Sequence, residues 1–304
     1  MRYLEIICHI QLAKEIRWFG YPETVLRSVL GANLRRICCI VKSLDTCFDC
    51  ELRNSCVYSW LFESPIDKES LSLNGRDKAP HPFVLEYDQI SATEGKIRIT
   101  LMGKAVYFAP YIISAFRNAG DCGLGRDRIH FAIESTTSDG KEFSGNRSEI
   151  ENHLKEWKYG QFDCKEKNII GIELITPCRI KSNGKYLGRL LVQDILKSMQ
   201  RRMVTLEEFY GDPISPKLFD SFPYSLDDGQ KWEERKHVSS RTSAKMSLGG
   251  VIGRIKISGN LDEYQKSLLL AGEVFHVGKN VAFGLGRIKL IYEENGDDRY
   301  QETV

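Results

Sequence analysis

The stretch IIGIELITPCRI, residues 169–180, lies near the middle of the 304-residue chain, and half of its residues are isoleucine or leucine. A short apolar run rich in β-branched residues predicts a buried strand. The stretch YLEIICHIQL, residues 3–12, has the same character near the start of the chain. We therefore expect two equivalent halves, each beginning with a buried strand.

The elements that follow each strand repeat in the same order. In the first half, apolar periodicity and turn residues predict a helix opening at Tyr21-Pro22, strands around 83–87 and 96–102, a helix over 107–118 and a strand over 128–133. In the second half they predict a helix over 188–210, a hairpin of 243–248 with 251–258 broken at Gly249-Gly250, a helix over 262–275 and a strand over 286–292. Both halves then have the order β-α-β-β-α-β, which is that of the ferredoxin-like unit.

The predicted fold class is α+β, with two tandem ferredoxin-like (RRM-like) domains. We expect the first domain over residues 1–150, with a cysteine-rich insert at about 38–62, and the second over 165–304. A polar, charged linker separates them, as is usual at a domain boundary. The fold hosts many functions, and neither half contains the aromatic RNP signature of a plain RRM module. Function must therefore come from the motifs.

Charge and hydropathy restrict the class of partner. The chain has 43 Lys and Arg against 41 Asp and Glu, a net charge of +2. Between Lys231 and Lys289, however, eleven basic residues face five acidic ones. A basic stretch in a near-neutral protein suits an anionic partner, although an ordinary solvated surface would look the same. No apolar run approaches the roughly 20 residues that span a bilayer, so we expect a cytoplasmic protein without membrane contact.

Five of the nine cysteines fall between positions 38 and 56. Cys39, Cys47, Cys50 and Cys56 have the spacing C-x7-C-x2-C-x5-C, in which four thiolates can converge on one tetrahedral ion. Structural zinc is the leading interpretation, and an iron–sulfur cluster, which uses the same ligand type, is the alternative. Cys38 could replace Cys39. Buried thiols without metal are the simplest alternative, but the polar residues around Cys47 and Cys50 argue against a core segment.

The second motif is a glycine-rich run, HVGKNVAFGLGR, at residues 276–287. It lacks the spacing of a P-loop, and it precedes a strand instead of opening a helix, which excludes a dinucleotide fingerprint. Its glycines would allow backbone N–H groups to approach a phosphate chain, with Lys279 and Arg287 adding charge. The run GLGRDR at residues 123–128 lies at the matching position of the first half. Tight turns with solvated arginines would explain either run alone.

Several blocks of the chain resemble one family in its order. They are VLRSVLGANLRRICC with the cysteine cluster and YSWLF, then YFAPYIISAFRNAGDCGLGRDR, ITPCRIK, MQRRMVTLEEFYG and GEVFHVGKNVAFGLGRIKL. In these blocks the chain resembles the CRISPR-associated endoribonucleases that process precursor RNA, a branch of the repeat-associated (RAMP) superfamily. The resemblance implies two tandem ferredoxin-like domains, binding of CRISPR repeat RNA, and one metal-independent cut per repeat. A departure from the family pattern is His276, which stands where the glycine-rich motif often begins with glycine.

Metal-free RNA cleavage needs a base for the 2′-OH, an acid for the departing 5′-oxygen and a cation near the phosphorane. His276 is our first candidate for the proton transfer, because it adjoins the glycine-rich run and has Lys279 close by to stabilise charge. A helix-end histidine that caps carbonyls would serve equally well as an explanation of His276. His9 is the second candidate, since the family's catalytic histidines commonly come from the first domain. Tyr264 or His237 would assist.

For RNA binding we predict basic residues on the first helix, in the two glycine runs and in the basic stretch. They are Arg27, Arg35, Arg36, Arg126, Arg128, Arg241, Lys245, Lys279 and Arg287, together with Gly278, Gly284 and Gly286. The alternative function is that of a non-catalytic RNA-binding subunit of a CRISPR effector, which would hold processed crRNA and contact other effector subunits. A zinc-containing nucleic-acid-binding protein unrelated to CRISPR is a third interpretation, which the chain-long resemblance disfavours.

Overall fold

A computed structural model of the chain describes residues 1–44, 46–63, 79–158, 168–234, 236–238 and 245–293, with backbone only at 236–238, 245 and 246. The prediction for Arg241 therefore lies outside the described residues, as do the side chains of His237 and Lys245.

The first half is an antiparallel sheet with helices on it. Its elements are β1 (Arg2–Leu12), α1 (Pro22–Cys38), β2 (Phe83–Gln89), β3 (Glu94–Met102), α2 (Ala109–Cys122), β4 (Phe131–Ser138), β5 (Lys141–Glu142), α3 (Arg147–Asn152) and β6 (Lys155–Glu156). The sheet order is β2-β3-β1-β4-β5, with β6 paired to β1. Pro22 occupies the first turn of α1, where its missing N–H costs no hydrogen bond. The predicted strand over 128–133 begins later, at Phe131, because residues 124–129 close a turn through a Leu124–Ile129 bridge.

The second half repeats the order of the main elements. They are β7 (Ile169–Cys178), β8 (Lys181–Ser182), β9 (Lys185–Tyr186), α4 (Val192–Tyr210), β10 (Tyr224–Glu233), β11 (Lys236–Val238), β12 (Lys245–Ser247), β13 (Gly250–Ser258), α5 (Glu263–Phe275) and β14 (Ile288–Tyr292). The sheet order is β10-β13-β7-β14. When the four main strands of each half are numbered along the chain, both sheets have the order second, third, first, fourth. An Asp262–Gln265 capping box starts α5.

One strand pairing differs from the prediction. The segment before Gly249-Gly250 does not pair with β13; its strand β12 pairs with β11, and β13 pairs with β10 instead. Sequence reasoning missed β10 because none of its residues is fully buried, so its stretch YSLDDGQKWE lacks the apolar alternation of a half-buried strand. The predicted hairpin of 243–248 with 251–258 was therefore wrong.

Apolar side chains cross between the halves. Each half has its own hydrophobic core between sheet and helices. Ala282, from the second half, belongs to the core of the first, while Met1, Tyr3, Val84 and Met102 belong to the core of the second. Burial of these side chains away from water stabilises the junction between the two sheets. Among the helices that the structure describes, none is both long and apolar enough to cross a membrane.

Candidate functional site

The glycine-rich run 276–287 connects α5 to β14 and packs into the junction. Gly284 and Gly286 have φ near +78° and +75°. A Cβ at Gly284 would lie 2.4 Å from Cγ of Glu23 on α1, and a Cβ at Gly286 would lie 1.9 Å from the carbonyl oxygen of Val277. Both positions thus require glycine for backbone conformation and close packing.

The backbone N–H groups of these two glycines are used inside the protein. Gly284 N–H donates to the Val281 carbonyl and Gly286 N–H to the Pro177 carbonyl. The prediction that they cradle a phosphate is therefore not supported by their geometry. Gly278 lies further out, in a parallel bridge with Arg179 at the wall of a cleft.

His276 lies at the centre of a buried ionic network. Its side chain is 0% exposed; Nε2 lies 3.0 Å from Glu86 Oε1, and Nδ1 lies 3.1 Å from the Leu285 carbonyl oxygen. Both ring nitrogens therefore lie within hydrogen-bond distance of an oxygen atom. Arg98 and Arg287 complete the network, at 3.2 Å and 3.1 Å from Glu86 Oε2.

The network sets the charge of Glu86. Burial alone would raise the pKa of its carboxyl, but the hydrogen bond and charge of His276, with the two arginines, hold that pKa below its ordinary value. The pKa of nearby Glu23 is shifted in the opposite direction. Its carboxylate accepts from the Tyr87 N–H, yet burial dominates and raises the pKa of Glu23 to about 7.

A cleft of about 440 Å³ opens beside this network, where the two halves meet. It is lined by the residues just before β2, by those just after β7, by α4 and by the outer part of the glycine-rich run. Its polar lining residues are His81, Arg179, Lys181, Ser198, Arg201, Arg202, Thr205, Lys279 and Asn280. Five of these are basic and none is acidic, so the cleft suits an anion.

His81 contributes a titratable group from the first half. Its Nδ1 lies 2.9 Å from the Leu61 carbonyl oxygen, which can only accept, so this nitrogen carries the proton. Its Nε2 lies 3.0 Å from Nη2 of Arg27, which can only donate, so Nε2 presents its lone pair. The contacts thus fix a neutral tautomer of the kind that a general base requires.

Arg27 joins His81 to the glycine-rich run. Its guanidinium carbon lies 4.4 Å from the ring centroid of Phe283 and 5.2 Å from that of Phe62. Cation–π contacts of this kind hold the guanidinium plane between the halves. Arg27, predicted to bind RNA, therefore lies next to the cleft and orients one of its lining residues.

The four predicted catalytic residues are spread over the molecule. Lys279 is exposed and lines the cleft. His276 is enclosed in the network described above, where it cannot touch RNA without leaving Glu86. His9 lies on β1, with Nε2 3.4 Å from Thr137 Oγ1, and Tyr264 is 8% exposed in the second core, where its hydroxyl accepts from Gln200. Neither of these two residues lines the cleft.

The remaining basic residues predicted to bind RNA have partners of several kinds. Arg35 donates to the Leu44 carbonyl oxygen and Arg36 contacts Cys122 Sγ at 3.1 Å. Arg126 covers the ring of Phe19, and Arg128 is exposed with φ of +45°. Arg287 is committed to Glu86 and Asp88 within the junction, so its charge is balanced inside the protein.

Cys39, Cys47, Cys50 and Cys56 line a single pocket of about 190 Å³, together with Cys38. All five are free thiols. Among the residues that the structure describes, no three His, Cys, Asp or Glu side chains are grouped closely enough to hold an ion. The four cysteines of the predicted metal site therefore line one pocket, but their side chains are not arranged around a common point where an ion could bind.

His81 is the residue that sequence reasoning missed. It lies between Pro80 and Pro82, outside any periodic pattern, and the sequence carries no signal for its tautomer or for its distance from Lys279. The neighbouring aromatic residues Phe62 and Phe83 pack close to its ring and would have been the nearest clue.

Comparison with solved structures identifies the fold. Thermus thermophilus Cas6 is 14% identical, with 95% of this chain and 98% of that chain aligned at a TM-score of 0.54. A Cas6 product complex is 15% identical, with 95% of this chain and 99% of that chain aligned at a TM-score of 0.56. A partial Cas6-RT-Cas1–Cas2 complex is 12% identical, with 96% of this chain and 46% of that chain aligned at a TM-score of 0.57. No curated protein sequence matches the chain significantly.

Two family models match the sequence itself. Residues 1–155 match the N-terminal domain model AF_1859_N, and residues 172–288 match the model of the CRISPR-associated endoribonuclease Cas6. The resemblance to CRISPR RNA-processing endoribonucleases is thereby confirmed. The chain belongs to the family of the first model, which spans half of its length, and its second half carries a domain of the CRISPR-associated Cas6 endoribonucleases.

Proposed function

We propose that the chain binds CRISPR repeat RNA and cuts precursor crRNA once within each repeat. The backbone of the RNA would lie in the 440 Å³ cleft, with the 2′-OH of one nucleotide attacking the adjacent phosphate and leaving a 2′,3′-cyclic phosphate. We infer further that each half is a ferredoxin-like domain, which the element order and the matching sheet orders support. The domain limits 1–150 and 165–304 stay predictions.

One observation carries the proposal: a histidine and five basic side chains from both halves line the same cleft. Phosphate contacts dominate RNA affinity, and they need cations with access to solvent. Arg201, Lys181 and Lys279 are exposed and meet this condition. The match of residues 172–288 to the Cas6 endoribonuclease model supports the same substrate class.

The chemistry of the cut can be assigned to residues of the cleft. His81 would take the proton of the attacking 2′-OH through Nε2, once Arg27 shifts its donor to the phosphate. Lys279 and Arg201 would stabilise the extra negative charge of the phosphorane. As the P–O5′ bond breaks, a water molecule would protonate the departing 5′-oxygen. His276, with Glu86, would hold the glycine-rich run in place. Direct catalysis by His276, His9 or Tyr264 stays an alternative, and it requires those side chains to reach the RNA.

A second candidate function is that of a non-catalytic RNA-binding subunit, in contact with other CRISPR effector subunits. The observation in its favour is that Arg27 occupies the lone pair of His81 Nε2 at 3.0 Å. If that contact persists with RNA bound, the base is blocked and the cleft holds RNA without cutting it.

The experiment compares a labelled CRISPR repeat RNA with the same sequence made of 2′-deoxynucleotides, both incubated with the protein in EDTA. We expect one cut in the RNA, a 2′,3′-cyclic phosphate on the upstream fragment, and no cut in the deoxy strand. Tight binding of the repeat RNA without any cut would overturn the nuclease and favour the binding subunit. Equal cutting of unrelated RNA would contradict recognition of the repeat.

A further inference from the structure

The cysteine segment forms one pocket at the C-terminal end of α1. Cys38, Cys39, Cys47, Cys50 and Cys56 all line it, and each is half-buried. The other described cysteines do not gather in this way: Cys8 and Cys178 are fully buried in the two cores, and Cys122 is exposed. Three of the pocket cysteines also pack against the first hydrophobic core, but five thiols on one 190 Å³ pocket are a concentration of soft donors.

Backbone hydrogen bonds bring these thiols towards each other. The N–H of Cys50 donates to the carbonyl of Cys47 at 3.3 Å, which closes a turn around the C-x2-C pair. The N–H of Cys56 donates to the carbonyl of Leu52 at 2.9 Å, which turns the chain back to the pocket. On the opposite wall, the N–H of Cys39 caps α1 by donating to the Arg35 carbonyl.

Arg35 also holds the loop against the helix. Its Nη2 lies 2.7 Å from the carbonyl oxygen of Leu44, in the connection between the first and second cysteine pairs. Its guanidinium carbon lies 5.9 Å from the ring centroid of Tyr58, beyond the last cysteine. Arg35, at the end of α1, thus contacts both the middle of the cysteine segment and the residue Tyr58 that follows it.

We propose that Cys47, Cys50, Cys56 and one of the adjacent pair Cys38 and Cys39 bind one Zn²⁺ ion. Zinc suits four thiolates because it has no preferred d-electron geometry and accepts a tetrahedral arrangement with Zn–S distances of about 2.3 Å. Such a site needs its sulfurs about 3.7 Å apart. In the structure the thiols line one pocket but are not yet at that spacing, so binding would require their side chains to rotate towards the ion. The site is separate from the cleft, and the proposal is independent of RNA cleavage.

The first test is the zinc content of the purified chain. The wild type, produced with zinc in the medium and passed through gel filtration, is expected to retain one zinc per chain by elemental mass spectrometry. A Cys47→Ser/Cys50→Ser variant should lose it, whereas the control Cys122→Ser should keep it. Of Cys38→Ser and Cys39→Ser, one should bind zinc more weakly and the other should match the wild type.

A second measurement keeps the proposal testable if the double variant does not fold. In the native wild type, a thiol reagent should label four more cysteines after zinc is removed by a chelator than before. Cobalt added to the metal-free chain should give the absorption bands of a tetrahedral cobalt–thiolate site. A wild type that contains no zinc, gains no reactive thiols on chelation and shows no cobalt–thiolate bands would overturn the proposal. So would a brown protein that contains iron and acid-labile sulfide.

Discussion

Nε2 of His276 lies 3.0 Å from Oε1 of Glu86, although the two residues are 190 positions apart and belong to different halves. Neither side chain has more than 8% of its surface exposed. The contact joins the end of α5 to β2, and Arg287 joins β14 to the same carboxylate. The glycine-rich run is therefore fixed from both of its ends to the first sheet, and this determines where Gly278 and Lys279 meet the cleft.

Removing His276 should destabilise the chain. In His276→Ala the negative charge of Glu86 stays buried and keeps only Arg98 and Arg287 as partners. Removing one partner of a buried ion pair typically lowers the free energy of unfolding by about 3–5 kcal/mol. Urea denaturation at pH 7 measures this cost. The matched control is His130→Ala, because His130 is exposed and such a surface substitution usually changes the free energy of unfolding by no more than about 0.5 kcal/mol. Equal losses in the two variants would contradict the role of the network.

Glu23 makes stability depend on pH in a defined direction. Its pKa rises from 4.5 when unfolded to about 7 when folded, because burial disfavours the carboxylate. Its contribution to stability is therefore full below pH 4.5 and is lost as the pH rises to about 7. Glu23→Gln keeps an acceptor for the Tyr87 N–H and removes this loss. We expect the variant to be more stable than the wild type at pH 8 by about 3 kcal/mol, which is the difference between the folded and unfolded pKa values at 1.36 kcal/mol per unit. The gap should shrink towards pH 4.5. A gap that widens on acidification would refute the assignment.

Lys279 should contribute to RNA affinity through its charge. Lys279→Ala removes one phosphate contact, so the slope of log K against log salt should become shallower by about 0.7–1. Titrations of repeat RNA at several salt concentrations measure the slope. Lys141→Ala, on the exposed strand β5 outside the cleft, serves as the control and should leave the slope unchanged. Equal slopes for wild type and Lys279→Ala would place the RNA elsewhere.

The sequence predicts the order of elements well and the junction poorly. Helices α1, α2, α4 and α5 have clear apolar faces, so their positions follow from periodicity alone. Periodicity does not predict the partners of His276 and Arg287. Glu86 is 190 residues from His276 and Asp88 is 199 residues from Arg287, and no local sequence pattern marks either carboxylate. For the same reason the glycines of the run suggested phosphate binding, whereas Gly284 is required by contact with Glu23.

The proposed role of His81 rests on its position in the structure. The ring is fixed between the Leu61 carbonyl and Arg27 and lines the cleft with Lys279, whereas His276 is enclosed. His81→Ala should therefore lower the cleavage rate by about 10²–10⁴-fold, the usual contribution of one general acid–base group. The dissociation constant for repeat RNA should change far less. His130→Ala, an exposed histidine outside the cleft, is the control.

The most direct measurement is the single-turnover rate of cleavage of a labelled CRISPR repeat RNA in EDTA by wild type, His81→Ala and His130→Ala. We predict one product with a 2′,3′-cyclic phosphate for wild type and His130→Ala at similar rates, and the 10²–10⁴-fold loss for His81→Ala. Cleavage by His81→Ala at the wild-type rate would contradict catalysis at this cleft.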